Sequence, residues 1–153
     1  MKELDEILYD ALLADEYLMD ATEGRIESTC FEVSPDEQDN TQLPCIIVMD
    51  DELQNSSATK DSCWESEEDR VQASVEIDGR SPREVKRLRR MVRRAIAIHI
   101  HAMAENDEET PSLQNVQCNG IAWDWMKPCY HTTITYVCDI NNHLNDDEQE
   151  DNE

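Results

Sequence analysis

Six cysteines, four histidines and thirty-six carboxylates are the side chains of this 153-residue chain that could act as nucleophiles, acid–base groups or metal ligands. The densest grouping is Cys129-Tyr130-His131, with Cys118 and Cys138 nearby in one hairpin pattern. Together they would offer the thiolate and imidazole donors that zinc takes. The spacing argues against it, because no Cys-x-x-Cys pair occurs and adjacent strand residues point to opposite faces. Small thiols buried in strands are the simpler reading. His99 and His101 stand about 160° apart on a helix, so His99 belongs at the edge of a core and His101 in solvent. No Ser or Cys lies at a recognisable spacing from a histidine for nucleophilic catalysis. Carboxylates are so abundant that any chosen pair is uninformative without an apolar pocket to shift one of them. The three glycines, Gly24, Gly79 and Gly120, are isolated, which leaves no phosphate-cradling loop. The residues therefore suggest no catalytic group, no metal ligand and no cofactor, and no enzyme is expected.

The sharper feature is charge. Eight of the thirteen Lys and Arg residues lie between Arg80 and Arg94, in a chain of formal charge −23. Ser81-Pro82-Arg83-Glu84 opens the helix that carries them: Ser81 as N-cap, Pro82 where its missing N–H is harmless, and Glu84 completing a capping box. At about 100° per residue, Val85, Leu88, Val92, Ala95, Ile96, His99 and Met103 share one arc. Arg83, Lys86, Arg87, Arg90, Arg93 and Arg94 share the opposite arc. That basic face has three readings: a solvated surface laced to acidic loops, an interface with an acidic protein or a second copy, or a nucleic-acid contact. Arg outnumbers Lys seven to one in the cluster, and the planar guanidinium suits paired carboxylates at interfaces. The protein interface is favoured, with the six residues of that arc as its contacts.

Other elements frame this helix. Leu4, Ile7, Leu8, Ala11 and Leu12 mark an opening helix, and Gly24 ends the helical stretch through a positive φ. Strands are expected over Ile26–Val33 and Leu43–Met49, the latter central and two-sided. Arg70–Asp78 alternates, with Val71, Ala73, Val75 and Ile77 on one face. After the helix, Val116–Met126 reads as a strand with a bulge or tight turn at Asn119-Gly120. Trp123 and Trp125 are expected in the core beside Ile121. Tyr130–Ile140 alternates as the last strand. The pattern predicts an α+β fold, a four- to five-stranded, mostly antiparallel sheet with two main helices packed on one face. Residues 1–143 form that domain, with 50–69 an acidic loop insert, and 144–153 an acidic flexible tail.

A charge of −23 disfavours general affinity for nucleic acid or anionic membranes. No apolar run approaches membrane-spanning length and no signal-peptide pattern is seen, so no membrane partner is expected. A cytosolic site of synthesis and reduced cysteines follow as expectations.

Several segments, taken in order, resemble the small tail-completion proteins of tailed bacteriophages. They are Ile7-Leu8-Tyr9-Asp10-Ala11-Leu12-Leu13-Ala14-Asp15, Gly24-Arg25-Ile26, Pro44-Cys45-Ile46-Ile47-Val48 and the strand Arg70–Asp78. The helix start Ser81-Pro82-Arg83-Glu84-Val85 and a last hairpin ending Tyr136-Val137-Cys138-Asp139-Ile140 complete the series. The resemblance covers roughly residues 1–141. It implies an α+β tail-terminator subunit without enzymatic activity, forming a ring, hexameric in that family. Such a ring caps the tail tube and joins it to head-connector or neck proteins in the virion, after assembly in the host cytoplasm. DNA would pass through its channel without specific binding. The acidic insert and tail depart from the family pattern, and the helix is more basic than the resemblance implies. A neck or head-completion role fits almost as well. An alternative of another class is an acidic DNA mimic that blocks a host DNA-binding protein, motivated by the net charge alone.

Overall fold

The computed structural model describes residues 3–28, 42–50 and 68–141. The fold is α+β. Helices α1 (Leu4–Leu13) and α2 (Glu16–Thr22) are followed by strands β1 (Ile26–Ser28), β2 (Cys45–Asp50) and β3 (Glu68–Gly79). Then come the long helix α3 (Pro82–Glu105) and strands β4 (Leu113–Cys118), β5 (Ala122–Asp124) and β6 (Cys129–Asn141). The sheet order is β1-β2-β3-β6-β4, with β5 also on β6. Among the described residues only β1 and β2 run parallel, and the other pairs are antiparallel.

Six strands stand where four to five were expected, because the Val116–Met126 run is broken in two. Both β4 and β5 pair with the same edge of β6, Cys118 opposite Ile134 and Ala122 opposite His131. Residues 119–121 loop out between them. Asn119 anchors the loop: its N–H donates to Thr133 O (3.0 Å), and its carbonyl accepts from Thr132 Oγ1 (2.6 Å) and Arg89 Nη1 (3.2 Å).

One core joins the helices to one face of the sheet. Ile46 and Val48 of β2, Val71, Ala73, Val75 and Ile77 of β3, and Ile134 and Tyr136 of β6 meet the apolar stripes of all three helices. Leu8, Leu12, Leu88, Val92 and Ile96 fill it from the helix side. Each fully buried Leu, Ile or Val there contributes about 1.5–3 kcal/mol through removal from water. The expected arc of α3 is buried at Val85, Leu88, Val92, Ala95, Ile96 and Met103, with His99 half-buried at its edge and His101 exposed.

The helix ends follow their local chemistry. Ser81 Oγ accepts from Glu84 N (3.1 Å), while Glu84 Oε1 accepts from Arg80 N (2.8 Å), one residue before the cap. Asp15 caps α2 by accepting from Leu18 N. Gly24 takes φ +78°, and Glu23 before it is also left-handed at φ 54°. Arg25 ties this corner to the start of β2: its guanidinium donates to the carbonyls of Pro44 (2.8 Å) and Leu43 (3.0 Å).

The β3–α3 corner is packed tightly. A Cβ added to Gly79 would stand 2.8 Å from Val85 Cγ2 and 3.2 Å from Glu84 Oε1, and Val85 is fully buried. Gly79→Ala is therefore expected to destabilise the fold by about 1–3 kcal/mol, the usual cost of overpacking. Urea denaturation measures it; an unchanged midpoint would mean that the corner yields freely.

Several expectations change. Trp123 and Trp125 are not in the core: Trp123 is 38 % exposed and Trp125 86 % exposed. The reason is the brevity of β5, which leaves Trp125 in the turn beyond it. Trp123 stands at the sheet edge against Tyr130, with ring centroids 4.9 Å apart. Cys118, expected as a buried strand thiol, is exposed on edge strand β4, whereas Cys45, Cys129 and Cys138 are buried. Strand β2 is flanked on both sides as expected, but Ile47 and Met49 on its other face are only half-buried. The continuation of β1 to Val33, most of the 50–69 insert, the 144–153 tail, Cys30 and Cys63 lie outside the described residues.

Candidate subunit interface and a polar cluster on the other sheet face

Helix α3 turns its two faces to different environments. The apolar face is held by the core, so the basic face is fixed pointing outward. Arg83, Lys86, Arg87, Arg90, Arg93 and Arg94 are all exposed. From Arg83 to Arg94 this face runs about 16 Å, at 1.5 Å per residue. The other two cations of the cluster have local roles: Arg80 pairs with Glu84 (3.7 Å) and Arg89 binds Asn119. Among the described residues, none of the six meets a carboxylate at ion-pair distance. They are an exposed cationic surface on an acidic chain.

That surface continues into a groove between α2 and α3. Asp15, Tyr17, Asp20, Ala21, Arg87, Met91 and Arg94 line a cleft of about 520 Å³. A second hollow of about 310 Å³ extends it past Pro44, Arg83 and Leu88. Tyr17 is 74 % exposed at its rim. The cleft's α3 wall is cationic (Arg87, Arg94) and its α2 wall acidic (Asp15, Asp20), with Ala21 and Met91 between them, which suits a protein surface of mixed charge that carries an apolar anchor.

The sheet face away from the helices carries a different constellation. Alternation on β3 puts Gln72, Ser74, Glu76 and Asp78 on this side, opposite to Val71–Ile77. Register places Cys45 of β2 and His131 of β6 on either side of Asp78. The turn after β5 brings in Lys127. Asp124 Oδ1 accepts from the N–H groups of Met126 (2.9 Å) and Lys127 (3.4 Å), which aims the Lys127 side chain back over the sheet. Its Nζ donates to Asp78 Oδ2 (2.6 Å) and to Cys45 Sγ (3.3 Å). The Cys45 thiol in turn donates to Asp78 Oδ2 at 3.6 Å.

The electrostatics follow from burial. Burial and the neighbouring Asp78 raise the Glu76 carboxyl above the ordinary range, and a hydrogen bond shared with Asp78 adds to the shift. Burial pushes the Cys45 thiol up to about 11, while the Lys127 ammonium pulls it down and the Asp78 carboxylate pushes it up. Burial and then Asp78 push Cys129 to about 11 as well. Burial works against the Lys127 ammonium, but the bond to Asp78 and the charges around it raise its pKa overall. Thiols held protonated are poor nucleophiles, so this constellation is unsuited to cysteine catalysis.

The sequence reading named the six cations of α3, and the fold sets all six on one outer face. It did not single out Cys45, Glu76, Asp78 or Lys127 as site residues, and it weighed His131 only with the neighbouring cysteines. The Val-Glu-Ile-Asp alternation of β3 carried a signal for Glu76 and Asp78, because it sets two carboxylates side by side on one face. Nothing local foretold Lys127, whose place depends on the 125–128 turn. In comparison with known proteins, the chain matches no protein-family model and no curated protein.

Proposed function

We propose that this protein is a non-enzymatic structural subunit of a tailed bacteriophage, a tail-terminator or tail-completion protein that works as a six-membered ring. The single observation that carries the reading is the row of six exposed cationic side chains on the outer face of α3, unpaired with any carboxylate among the described residues. A chain of charge −23 repels copies of itself unless opposite charges are brought together. Helix α3 offers both signs. Its first half is basic; its last residue, Glu105, is exposed beside His101, and the exposed Asp107 and Glu108 follow just past its end. One subunit's basic half set against a neighbour's acidic end is a head-to-tail contact, and such contacts form a ring when the rotation between neighbours closes.

In this reading the ring caps the tail tube and meets the head-connector or neck proteins in the virion, after assembly in the host cytoplasm. The acidic remainder of the surface keeps passing DNA from sticking. A neck or head-completion role uses the same contacts. The DNA-mimic alternative fits the same face poorly, since an outward row of arginines would repel the basic target of a mimic.

Mass measurement in solution, with and without polymerised tail tubes, tests the proposal, followed by imaging of the tube ends. A six-fold ring at the tube end with α3 at the subunit contact is the expected result. A protein that ignores tubes and competes with DNA for a basic partner would replace this reading with the mimic.

A further inference from the structure

We infer that Glu76, Asp78 and His131 form a binding site for a divalent first-row transition-metal ion on the sheet face away from the helices. Each residue offers one donor atom, and the three atoms lie within 4.8 Å of one another. Donors around such an ion, bound at about 2.1 Å, sit roughly 3–4 Å apart, so small side-chain rotations close the set. The backbone holds it ready. Glu76 and Asp78 are two apart on β3 and share a face, and His131 is directly opposite Asp78 across the β3–β6 ladder.

A second observation points the same way. Nδ1 of His131 is buried and has no hydrogen-bond partner among the described residues. Buried polar atoms are nearly always paired, and a neutral imidazole nitrogen is the commonest metal ligand. Two carboxylates with one imidazole suit zinc, manganese or iron in the divalent state. Glu76 and His131 are only half-buried, whereas Asp78 is buried, so two of the three donors are open to solvent. Lys127 Nζ lies 2.6 Å from Asp78 Oδ2. It supplies one positive charge at the site and competes with an incoming cation for that oxygen.

Zn²⁺ alone, titrated calorimetrically into the full chain with its thiols kept reduced, tests the inference. One saturable equivalent is expected above the weak background of the acidic surface. Glu76→Gln and His131→Ala are each expected to weaken it by at least about tenfold, and Lys127→Met to strengthen it by removing the competing ammonium. X-ray absorption on the unsubstituted one-to-one complex gives a readout that does not depend on the variants folding. A first shell of oxygen and nitrogen with one imidazole supports the site. A sulfur-dominated shell, no saturable equivalent, or unchanged binding in both Glu76→Gln and His131→Ala overturns it. None of these outcomes bears on ring assembly, which rests on α3.

Discussion

Lys127→Met is expected to destabilise the fold by about 3 kcal/mol, the lower end of the cost of breaking a buried ion pair. The magnitude comes from what is left behind. The Asp78 side chain is only 2 % exposed, and Lys127 is its ion-pair partner at 2.6 Å. Without the ammonium, Asp78 keeps a weak thiol hydrogen bond from Cys45 and the one it shares with Glu76, and neither brings a positive charge. The reverse substitution, Asp78→Asn, costs less. The Lys127 side chain is 21 % exposed, so its ammonium can turn to water when the carboxylate is gone. The double variant Lys127→Met/Asp78→Asn then recovers most of the loss, since neither uncompensated charge remains. For a domain of this size 3 kcal/mol corresponds to a fall of roughly 10 °C in Tm. Urea midpoints for the three variants decide the matter. Equal and small losses for Lys127→Met and Asp78→Asn would show that Asp78 is better solvated than its burial implies.

The difference between this cluster and the basic helix explains what the sequence disclosed. Periodicity reports which face of an element is buried. The arc from Val85 to Met103, the alternation of Val71–Ile77 and the cap at Ser81 were therefore legible before any coordinates, as was the α+β class. The six outward cations follow from the same wheel, because whatever lies opposite a buried arc must face out. Asp78 with Lys127 is another matter. The two are 49 residues apart, and they meet only because β5 stops after three residues and Asp124 aims the following turn. The Trp123 and Trp125 error has the same origin. Read as one strand with a bulge or tight turn at Asn119-Gly120, residues 116–126 place both rings inward beside Ile121. The loop at 119–121 breaks that strand and leaves them at an edge. Side-chain chemistry that depends on where an irregular edge bends is not encoded in any local pattern.

The two faces of the sheet thus divide the molecule's tasks. The helix side holds the apolar core and fixes the orientation of α3, so stability and the candidate contact surface are linked through one element. A change on the outer arc of α3 should reach assembly without touching the core. That separation makes the proposed contact testable by charge alone.

Reversal of three cations, Arg87→Glu, Arg90→Glu and Arg94→Glu in one chain, is the change with the largest expected effect on assembly. All three side chains are exposed and, among the described residues, unpaired with any carboxylate. Exposed substitutions of this kind alter stability by about 0.5 kcal/mol or less each, so the monomer should remain folded. Each reversal turns an attraction at a subunit contact into a repulsion worth roughly 1 kcal/mol. Together they weaken one contact by about 3 kcal/mol, on the order of a hundredfold. Every contact in a closed ring carries the same penalty, so rings at tube ends should disappear rather than thin out. Raising salt on the unsubstituted protein should weaken assembly in the same direction, because exposed pairs are screened beyond about 8–10 Å. The matching triple change to Lys keeps the charge and removes the planar guanidinium fork. Assembly retained with Lys and lost with Glu would assign the contact to charge; loss with both would assign it to arginine geometry. Rings that form at full yield with all three reversed would remove α3 from the subunit contact, and with it the support for the tail-terminator reading.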